Sequence, residues 1–97
     1  MSRYDLTPGA QIDLEEIWNW IAADNPARAV TFLEDLNAVF ERLAAMPLIG
    51  RKREDIQREL RSFGHGSYLI FYRPRTDGAV IFRVVHARRD LTQVFDH

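Results

Sequence analysis

The residues best suited to chemistry lie together in residues 83–91, which read RVVHARRDL. An apolar run there ends in His86, the basic pair Arg88 and Arg89 follows, and Asp90 comes directly after the pair. Imidazole can transfer a proton near neutral pH, and guanidinium groups bind phosphate or carboxylate through paired hydrogen bonds. The segment therefore predicts a basic cluster suited to an anionic partner. The structural alternative is a histidine satisfied near the core, with the arginines paired to Asp90 or to acids of the helices.

The strand that precedes this cluster should divide its side chains between the two faces of a sheet. With a period of two, His86 shares a face with Phe82 and Val84, whereas Arg83 shares one with Val85. We include Arg83 with the cluster because it belongs to the same segment of the chain.

Familiar enzyme motifs are absent from the sequence. It has no phosphate-binding glycine loop, no HExxH and no GxSxG. The three histidines, His65, His86 and His97, lack the helical spacing of metal ligands from one another. The absence of cysteine excludes a thiolate zinc site and a disulfide framework. The sequence therefore predicts neither a metal site nor a cofactor.

The first half of the chain predicts a short strand and two helices. Residues 3–7 suit a strand, and Thr7 followed by Pro8 is typical of a helix start, with Thr7 as the N-cap. Asn25 and Pro26 repeat this signal after a linker so short that the helices must form a tight antiparallel hairpin. Apolar residues spaced by three and four define the buried stripes, which are Leu14, Ile17 and Ile21 in the first helix and Ala29, Leu33, Leu36, Phe40 and Leu43 in the second.

The second half of the chain predicts strands. In order we expect an exposed charged loop over 51–59, a strand over 60–63, a turn over 64–66, strands over 68–72 and 79–86, and a hairpin turn between them over 75–78. The apolar residues do not simply alternate, so both sheet faces should be covered, one by the helices and the other by a candidate partner. The predicted fold is α+β: an N-terminal strand, then an antiparallel two-helix hairpin packed on a four-stranded, mainly antiparallel sheet, as one domain over residues 1–97.

Charge is distributed unevenly along the chain. Residues 1–50 carry 3 basic and 8 acidic side chains, whereas residues 51–97 carry 10 basic and 6 acidic ones. The split indicates a basic surface that could face an acidic partner or nucleic acid, or simply acidic helices beside a basic sheet. The run Arg51, Lys52, Arg53 favours a solvated loop over a DNA-binding patch, so we expect no direct sequence-specific nucleic-acid binding. An early acid and the lack of a long apolar run predict a cytoplasmic protein without a signal peptide or membrane span.

Several segments, taken in order, resemble the ParE branch of the RelE/ParE superfamily of bacterial toxins. They are residues 10–17, 26–36, 47–51, 60–62, 68–73 and 83–91. Each segment is short, but their order and spacing cover nearly the whole chain. The resemblance implies a toxin neutralised by a ParD-type antitoxin. It also implies that the segment with Arg83, His86, Arg88, Arg89 and Asp90 contributes to target binding and toxicity.

The superfamily includes two activities, and the residues favour one of them. ParE-type members impair DNA gyrase, whereas RelE-type members are ribosome-dependent ribonucleases that need a proton carrier and cations near the reacting phosphate. If this chain were a ribonuclease, Arg61 with Arg88 or Arg89 would supply the cations and His86 the base. The tail position that often holds a catalytic tyrosine in RelE-type members aligns with Phe95, which has no hydroxyl. We therefore predict a gyrase inhibitor and keep the ribonuclease as the alternative.

Antitoxins of this kind bind through a disordered segment that folds on the toxin. Aromatic residues not needed for the core are candidate contacts: Trp18 and Trp20 on the first helix, and Tyr68 and Tyr72 on one face of a strand. The tryptophans lie two residues apart, so they cannot share a helix face. Packing at the rim of the core, or within the sheet, is the alternative for each of the four.

Overall fold

The computed structural model describes residues 2–95, so that His97 lies outside the described part of the chain. The elements in chain order are β1 (Arg3–Leu6), α1 (Pro8–Ala22), α2 (Pro26–Ala45), β2 (Arg51–Lys52), β3 (Arg61–His65), β4 (Tyr68–Arg75), β5 (Gly78–His86) and α3 (Leu91–Val94). The predicted α+β class, the opening strand and the helical hairpin are confirmed.

Both long helices begin at the predicted capping residues. The hydroxyl of Thr7 accepts a hydrogen bond from the amide of Ala10 at 3.1 Å, and Pro8 is the first residue of α1. The amide oxygen of Asn25 accepts one from the amide of Arg28 at 3.1 Å, and Pro26 opens α2. A side-chain acceptor followed by proline was therefore sufficient to locate both helix starts.

The sheet has the strand order β1-β5-β4-β3-β2, with β1 parallel to β5 and the other pairs antiparallel. It therefore contains five strands rather than four. The additional strand, β2, falls where a loop was predicted, because Arg51 and Lys52 pair with Ser62 and Arg61. The sequence could not predict this strand because two exposed basic residues show no strand periodicity. The strand exists only through backbone pairing at the edge of the sheet.

The main core lies between the helical hairpin and one face of the sheet. Its buried residues are Ala10, Ile17, Leu36, Phe40, Leu43, Ile70, Tyr72, Ala79, Ile81 and Val84. The predicted helix stripes supply four of these, Ile17, Leu36, Phe40 and Leu43, with the spacing expected for an amphipathic helix.

The opposite face of the sheet is partly covered by the chain itself. Leu60, Phe71 and Val85 form a second buried cluster, against which pack Ile56, Leu69, Leu91, Val94 and Phe95. The rings of Phe71 and Phe95 meet edge to face, with centroids 4.9 Å apart. The C-terminal segment thus covers much of the surface for which the sequence suggested a partner.

A register shift in β5 changes the predicted assignment of faces. Tyr72 lies opposite Ile81 and Phe71 lies opposite Arg83, so Phe82 has no cross-strand partner. This extra residue in β5 interrupts the alternation of side chains between the two sheet faces. As a result, Ile81 and Val84 both reach the main core. The prediction that Phe82 shares a face with Val84 is therefore wrong; the guanidinium of Arg73 lies 5.0 Å above the Phe82 ring instead.

Arg83 joins three elements through a part-buried ion pair. Its Nε and Nη2 donate to the two carboxylate oxygens of Asp13 on α1 at 2.7 and 2.9 Å, and its Nη1 donates to the carbonyl of Val94 in α3 at 3.3 Å. Asp13, only 4% exposed, also accepts the backbone amide of Val84 at 2.8 Å. These bonds raise the pKa of Arg83 above its usual range, chiefly because the Asp13 carboxylate accepts from the charged guanidinium.

Tyr72 belongs to the core, which corrects its grouping with the candidate antitoxin contacts. The side chain is fully buried, and its hydroxyl donates to the carbonyl of Pro47 at 2.7 Å and accepts from the amide of Gly50 at 2.8 Å. Burial raises the pKa of Tyr72. A Cβ at Gly50 would overlap the Tyr72 hydroxyl, so this glycine allows the loop after α2 to approach β4. Tyr72 therefore anchors that loop and offers no surface to a partner.

Replacing Asp13 by alanine should destabilise the fold strongly. Asp13→Ala leaves the Arg83 guanidinium without its partner and the Val84 amide without an acceptor, at a cost of about 3 kcal/mol in the free energy of unfolding. Urea denaturation followed by circular dichroism measures this change. Glu15→Ala removes an exposed carboxylate from the same helix and should change stability by less than about 0.5 kcal/mol. Equal stabilities for the two variants would contradict the role given to Asp13.

Removing one hydroxyl from Tyr72 should loosen the loop after α2. Tyr72→Phe leaves the buried Gly50 amide without an acceptor, which costs about 1–3 kcal/mol in the free energy of unfolding. The matched control is Tyr68→Phe, because the Tyr68 hydroxyl has no hydrogen bond within residues 2–95. Chemical denaturation of both variants tests this expectation, and an unchanged midpoint for Tyr72→Phe would refute it.

Candidate functional site: an exposed surface at the end of the sheet

The turn that follows β5 is held by backbone hydrogen bonds and leaves its side chains exposed. The amide of Ala87 donates to the carbonyl of Ser67 at 2.8 Å, and the amide of Arg89 donates to the carbonyl of His86 at 2.9 Å. The amide of Arg88 donates to Nδ1 of His86 at 3.1 Å, so that this ring nitrogen acts as an acceptor. A rigid backbone thus carries an exposed imidazole and two exposed guanidinium side chains.

No ion pair with another described residue neutralises the two arginines of this turn. Within residues 2–95, neither Arg88 nor Arg89 forms an ion pair. Asp90 instead caps α3, where its carboxylate accepts from the amide of Thr92 at 3.0 Å and from its hydroxyl at 2.7 Å. These hydrogen bonds hold the pKa of Asp90 below its usual value. The structural alternative, in which Arg88 or Arg89 pairs with Asp90 or with an acid of the helices, is therefore not what the described residues show; the arginine that pairs with a helix acid is Arg83.

An aromatic cluster lies beside the turn. Tyr68 and His86 are cross-strand partners in β4 and β5, and their ring centroids lie 5.5 Å apart. Phe32 of α2 lies 5.5 Å from Tyr68 and 5.8 Å from His65, also measured between ring centroids. The cluster therefore draws on three strands and one helix, and within it Tyr68 is the ring that contacts the His86 imidazole.

Trp20 extends this aromatic surface outward from α1. Its side chain is 80% exposed, and together with Tyr68 and His86 it lines two adjoining clefts of about 650 and 280 Å³. Arg89 lines the smaller cleft, beside Glu16. We call these four residues, Trp20, Tyr68, His86 and Arg89, the end surface. Trp18 is absent from it, because it lies on the other side of α1.

The predicted ribonuclease residues are only partly brought together. Arg61 pairs with Tyr72 across β3 and β4, whereas Tyr68 pairs with His86, so four residues of β4 separate the two positions. That separation is about 13 Å along the strand. The Arg61 side chain donates to the carbonyls of Leu48 at 3.1 Å and Gly50 at 2.8 Å, and so binds the loop after α2.

Three contributors to this region were missed by the sequence analysis. His65 was placed in a turn and Phe32 was not singled out, yet both join the aromatic cluster. Asp13 was given no role of its own in the sequence analysis, although it lies among the buried positions of α1 with Ala10 and Ile17. That spacing of three and four was a usable signal, because an acid on an apolar stripe needs a buried partner.

The described residues contain no enclosed site for metal chemistry. Between residues 2 and 95, no three or more Asp, Glu or His side chains are grouped so as to hold a metal ion. No helix in that range is long and apolar enough to cross a membrane. The end of the sheet instead combines exposed positive charge with exposed aromatic rings. This combination is suited to binding another macromolecule.

Comparison with known proteins shows which family shares this architecture. The family model for the ParE toxin of the type II toxin–antitoxin system parDE matches residues 4–91. Toxin ParE1 of Mycobacterium tuberculosis is 38% identical over 96 residues, covering 93% of this chain and 94% of the relative. The chain therefore belongs to the ParE toxin family of the RelE/ParE superfamily.

Other relatives agree with this assignment. Toxin ParE3 of Caulobacter vibrioides is 29% identical over 94% of this chain and 92% of its own length. Toxin RelE3 of the same organism is 32% identical over 90% of this chain and 96% of its own length. A solved structure described as the chromosomal ParDE TA system from P. aeruginosa has the same fold, with a TM-score of 0.70 and 18% identity over 89% of this chain and 96% of that one.

Proposed function

We propose that this ParE-family toxin inhibits DNA gyrase in the cytoplasm and is neutralised by a ParD-type antitoxin. The observation that carries the proposal is the cationic turn at Arg88 and Arg89, which is exposed and unpaired within residues 2–95 and lies beside an exposed aromatic surface. Such a turn can form charge-assisted hydrogen bonds with carboxylates or phosphates of a target. The family assignment supports gyrase as that target.

Two side-chain placements favour gyrase over the ribosome. Ribonuclease chemistry needs a proton carrier and cations converging on one phosphate. Arg61 is instead engaged with loop carbonyls, about 13 Å along β4 from the His86 position. Phe95 has no ionisable group and packs on Phe71. Both features support a toxin that acts by binding.

The end surface also suggests how an antitoxin silences the toxin. Trp20 and Tyr68, the predicted antitoxin contacts that line this surface, share its clefts with His86 and Arg89 of the target-binding segment. A peptide that buries the indole and the phenol would therefore cover the imidazole and one guanidinium as well. Neutralisation would then follow from direct occlusion, without a conformational change in the toxin.

A ribonuclease stays as the second candidate because one observation favours it. His86 is exposed beside Arg88 and Arg89, so a base and two cations are available on one turn even without Arg61. One relative, at 32% identity, is named Toxin RelE3. Primer extension on translated mRNA after induction distinguishes the two functions, since codon-spaced cuts would establish the ribonuclease and overturn the gyrase proposal.

Inducing this chain alone in a bacterium should arrest growth with filamentation, an SOS response and gyrase-linked DNA breaks. The purified chain should correspondingly inhibit supercoiling by gyrase, and added antitoxin should restore it. Arrest with intact DNA and cut mRNA would instead show that the target is the ribosome. Normal growth with abundant folded toxin would mean that this family member is not toxic.

Replacing both arginines of the turn should abolish toxicity and leave the fold intact. Arg88→Ala with Arg89→Ala removes two exposed charges that stabilise nothing else within residues 2–95, so we expect loss of growth arrest at an unchanged melting temperature. The matched control, Arg51→Ala with Lys52→Ala, removes the same charge from the exposed edge strand β2 and should stay toxic. Full toxicity of the folded Arg88/Arg89 variant would refute the role of this turn.

A further inference from the structure

The two edges of the sheet differ in how well they are protected from pairing with another strand. Within residues 2–95, β1 and β2 are the edge strands. β2 consists only of Arg51 and Lys52, and both side chains are exposed. A second β2 strand paired with it would bring basic side chains against basic ones, which destabilises a sheet. The charge of β2 therefore protects its edge from self-association.

β1 presents free backbone groups along its outer side, which we call the open edge. The amides of Arg3 and Thr7 donate to carbonyls of β5 at 2.9 and 3.0 Å. Successive residues of a strand direct their N–H and C=O groups to opposite sides. The amide and carbonyl groups of Tyr4 and Leu6 therefore point away from β5, and no strand within residues 2–95 pairs with them.

The space beside the open edge is accessible. A cleft of about 430 Å³ lies there, lined by Ser2, Arg3 and Tyr4 and by Glu41 and Ala44 of α2. The helix thus leaves the edge uncovered at the first residues of β1. A neighbouring strand would lie about 4.8 Å beyond β1 and would enter this space.

The exposed side chains of β1 alternate in the sign of their charge. Arg3 and Asp5, with side chains 72% and 58% exposed, lie on one face of the strand. Tyr4 and Leu6 point to the other face and pack against the main core. A basic and an acidic side chain two positions apart form a pattern that is complementary to its own reversed copy.

We propose that the open edge pairs with the open edge of a second copy of this chain, antiparallel and with the two Tyr4 residues opposite each other. The two Tyr4 residues would exchange a pair of backbone hydrogen bonds, and Leu6 would exchange another with the partner's Ser2. In the same register, Arg3 lies opposite the partner's Asp5, and Asp5 lies opposite the partner's Arg3.

Charge selects this register from those that backbone hydrogen bonding allows. A two-fold axis at Arg3 also keeps the free amides and carbonyls paired, but it places two guanidinium groups together. An axis at Asp5 places two carboxylates together, and like charges directly opposite each other are destabilising. The axis at Tyr4 is free of both conflicts.

The preferred register also extends ion pairs that already exist within each chain. Arg3 binds Asp77 at 3.1 Å, and Asp5 binds Arg75 at 2.6 Å. Contact between Arg3 and the partner's Asp5 would join these pairs into one network across the interface. Networks of charges stabilise more than isolated surface pairs do.

This inference goes beyond the proposed function and does not depend on it. The two copies of β5 would run in opposite directions, so the two end surfaces would lie at opposite ends of the joined sheet and stay accessible. Because few residues of each copy take part, the interface is small. We expect a dissociation constant on the order of 10 μM.

Sedimentation equilibrium of the purified chain at low ionic strength, from about 1 to about 200 μM, tests the inference. The wild-type chain should pass from monomer to dimer over this range. Arg3→Asp and Asp5→Arg should each weaken self-association by at least about tenfold, because each places like charges opposite one another at both ends of the interface. The matched control, Arg51→Asp, makes the same charge change on β2 and should stay within about twofold of the wild-type chain.

Mixing the two β1 variants gives the most specific readout. In an equimolar mixture of Arg3→Asp and Asp5→Arg, two acidic side chains of one copy face two basic ones of the other, so a heterodimer should form. An effect confined to each chain would not be rescued in this way.

Hydrogen exchange in the wild-type chain supplies a readout that needs no variant. The amides of Tyr4 and Leu6 should gain protection as the concentration rises, whereas the amide of Arg3, already bonded to β5, should not change.

Three results would overturn the inference: a wild-type chain that is monomeric throughout the range, a dimer that Arg3→Asp leaves intact, or folded variants that do not associate when mixed. Protection of the Tyr4 and Leu6 amides only in the presence of an antitoxin would also overturn it, by assigning the open edge to a strand of that partner. The proposed function stands in each case, because it does not use this edge.

Discussion

The ion pair between Asp13 and Arg83 is the interaction on which the rest of the structure depends. A carboxylate that is 4% exposed is costly to bury, and three hydrogen bonds, two from Arg83 and one from the Val84 amide, offset this cost. The same guanidinium reaches the Val94 carbonyl. One arginine therefore fixes the first helix to the fifth strand and to the C-terminal segment.

That constraint also places the end surface. With α1 held against β5, Trp20 near the end of the helix comes next to Tyr68 and His86 at the corresponding end of the sheet. The turn that follows His86 is tied to Ser67 through the Ala87 amide, so the exposed arginines project from a rigid backbone. A binding protein gains from such rigidity because little conformational entropy is lost when the partner arrives.

Acidic and basic side chains are concentrated in different parts of the fold, which gives this small protein two surfaces of opposite charge. The acidic helices and the basic turn after β5 lie in different parts of the fold, and the ion pairs among the described residues neutralise only part of each. A partner with basic and apolar residues suits the helices, whereas an anionic target suits the turn. The sequence-level charge asymmetry thus has a physical counterpart in the described surface.

The sequence alone determined the features that depend on neighbouring residues. Thr7-Pro8 and Asn25-Pro26 set the helix starts, helical spacing of apolar residues set the buried stripes, and the turn before Gly78 set the hairpin. Only the tertiary structure decided what depends on distant residues. In the folded chain, the charged residues Arg51 and Lys52 pair as strand β2, and Tyr72 lies buried beneath the loop after α2. A bulge leaves Phe82 without a cross-strand partner, and Asp13 pairs with Arg83, 70 residues away in the sequence. Local propensity carries no information about such pairings, because their free energy comes from burial and hydrogen bonding between parts of the chain that meet only when it folds.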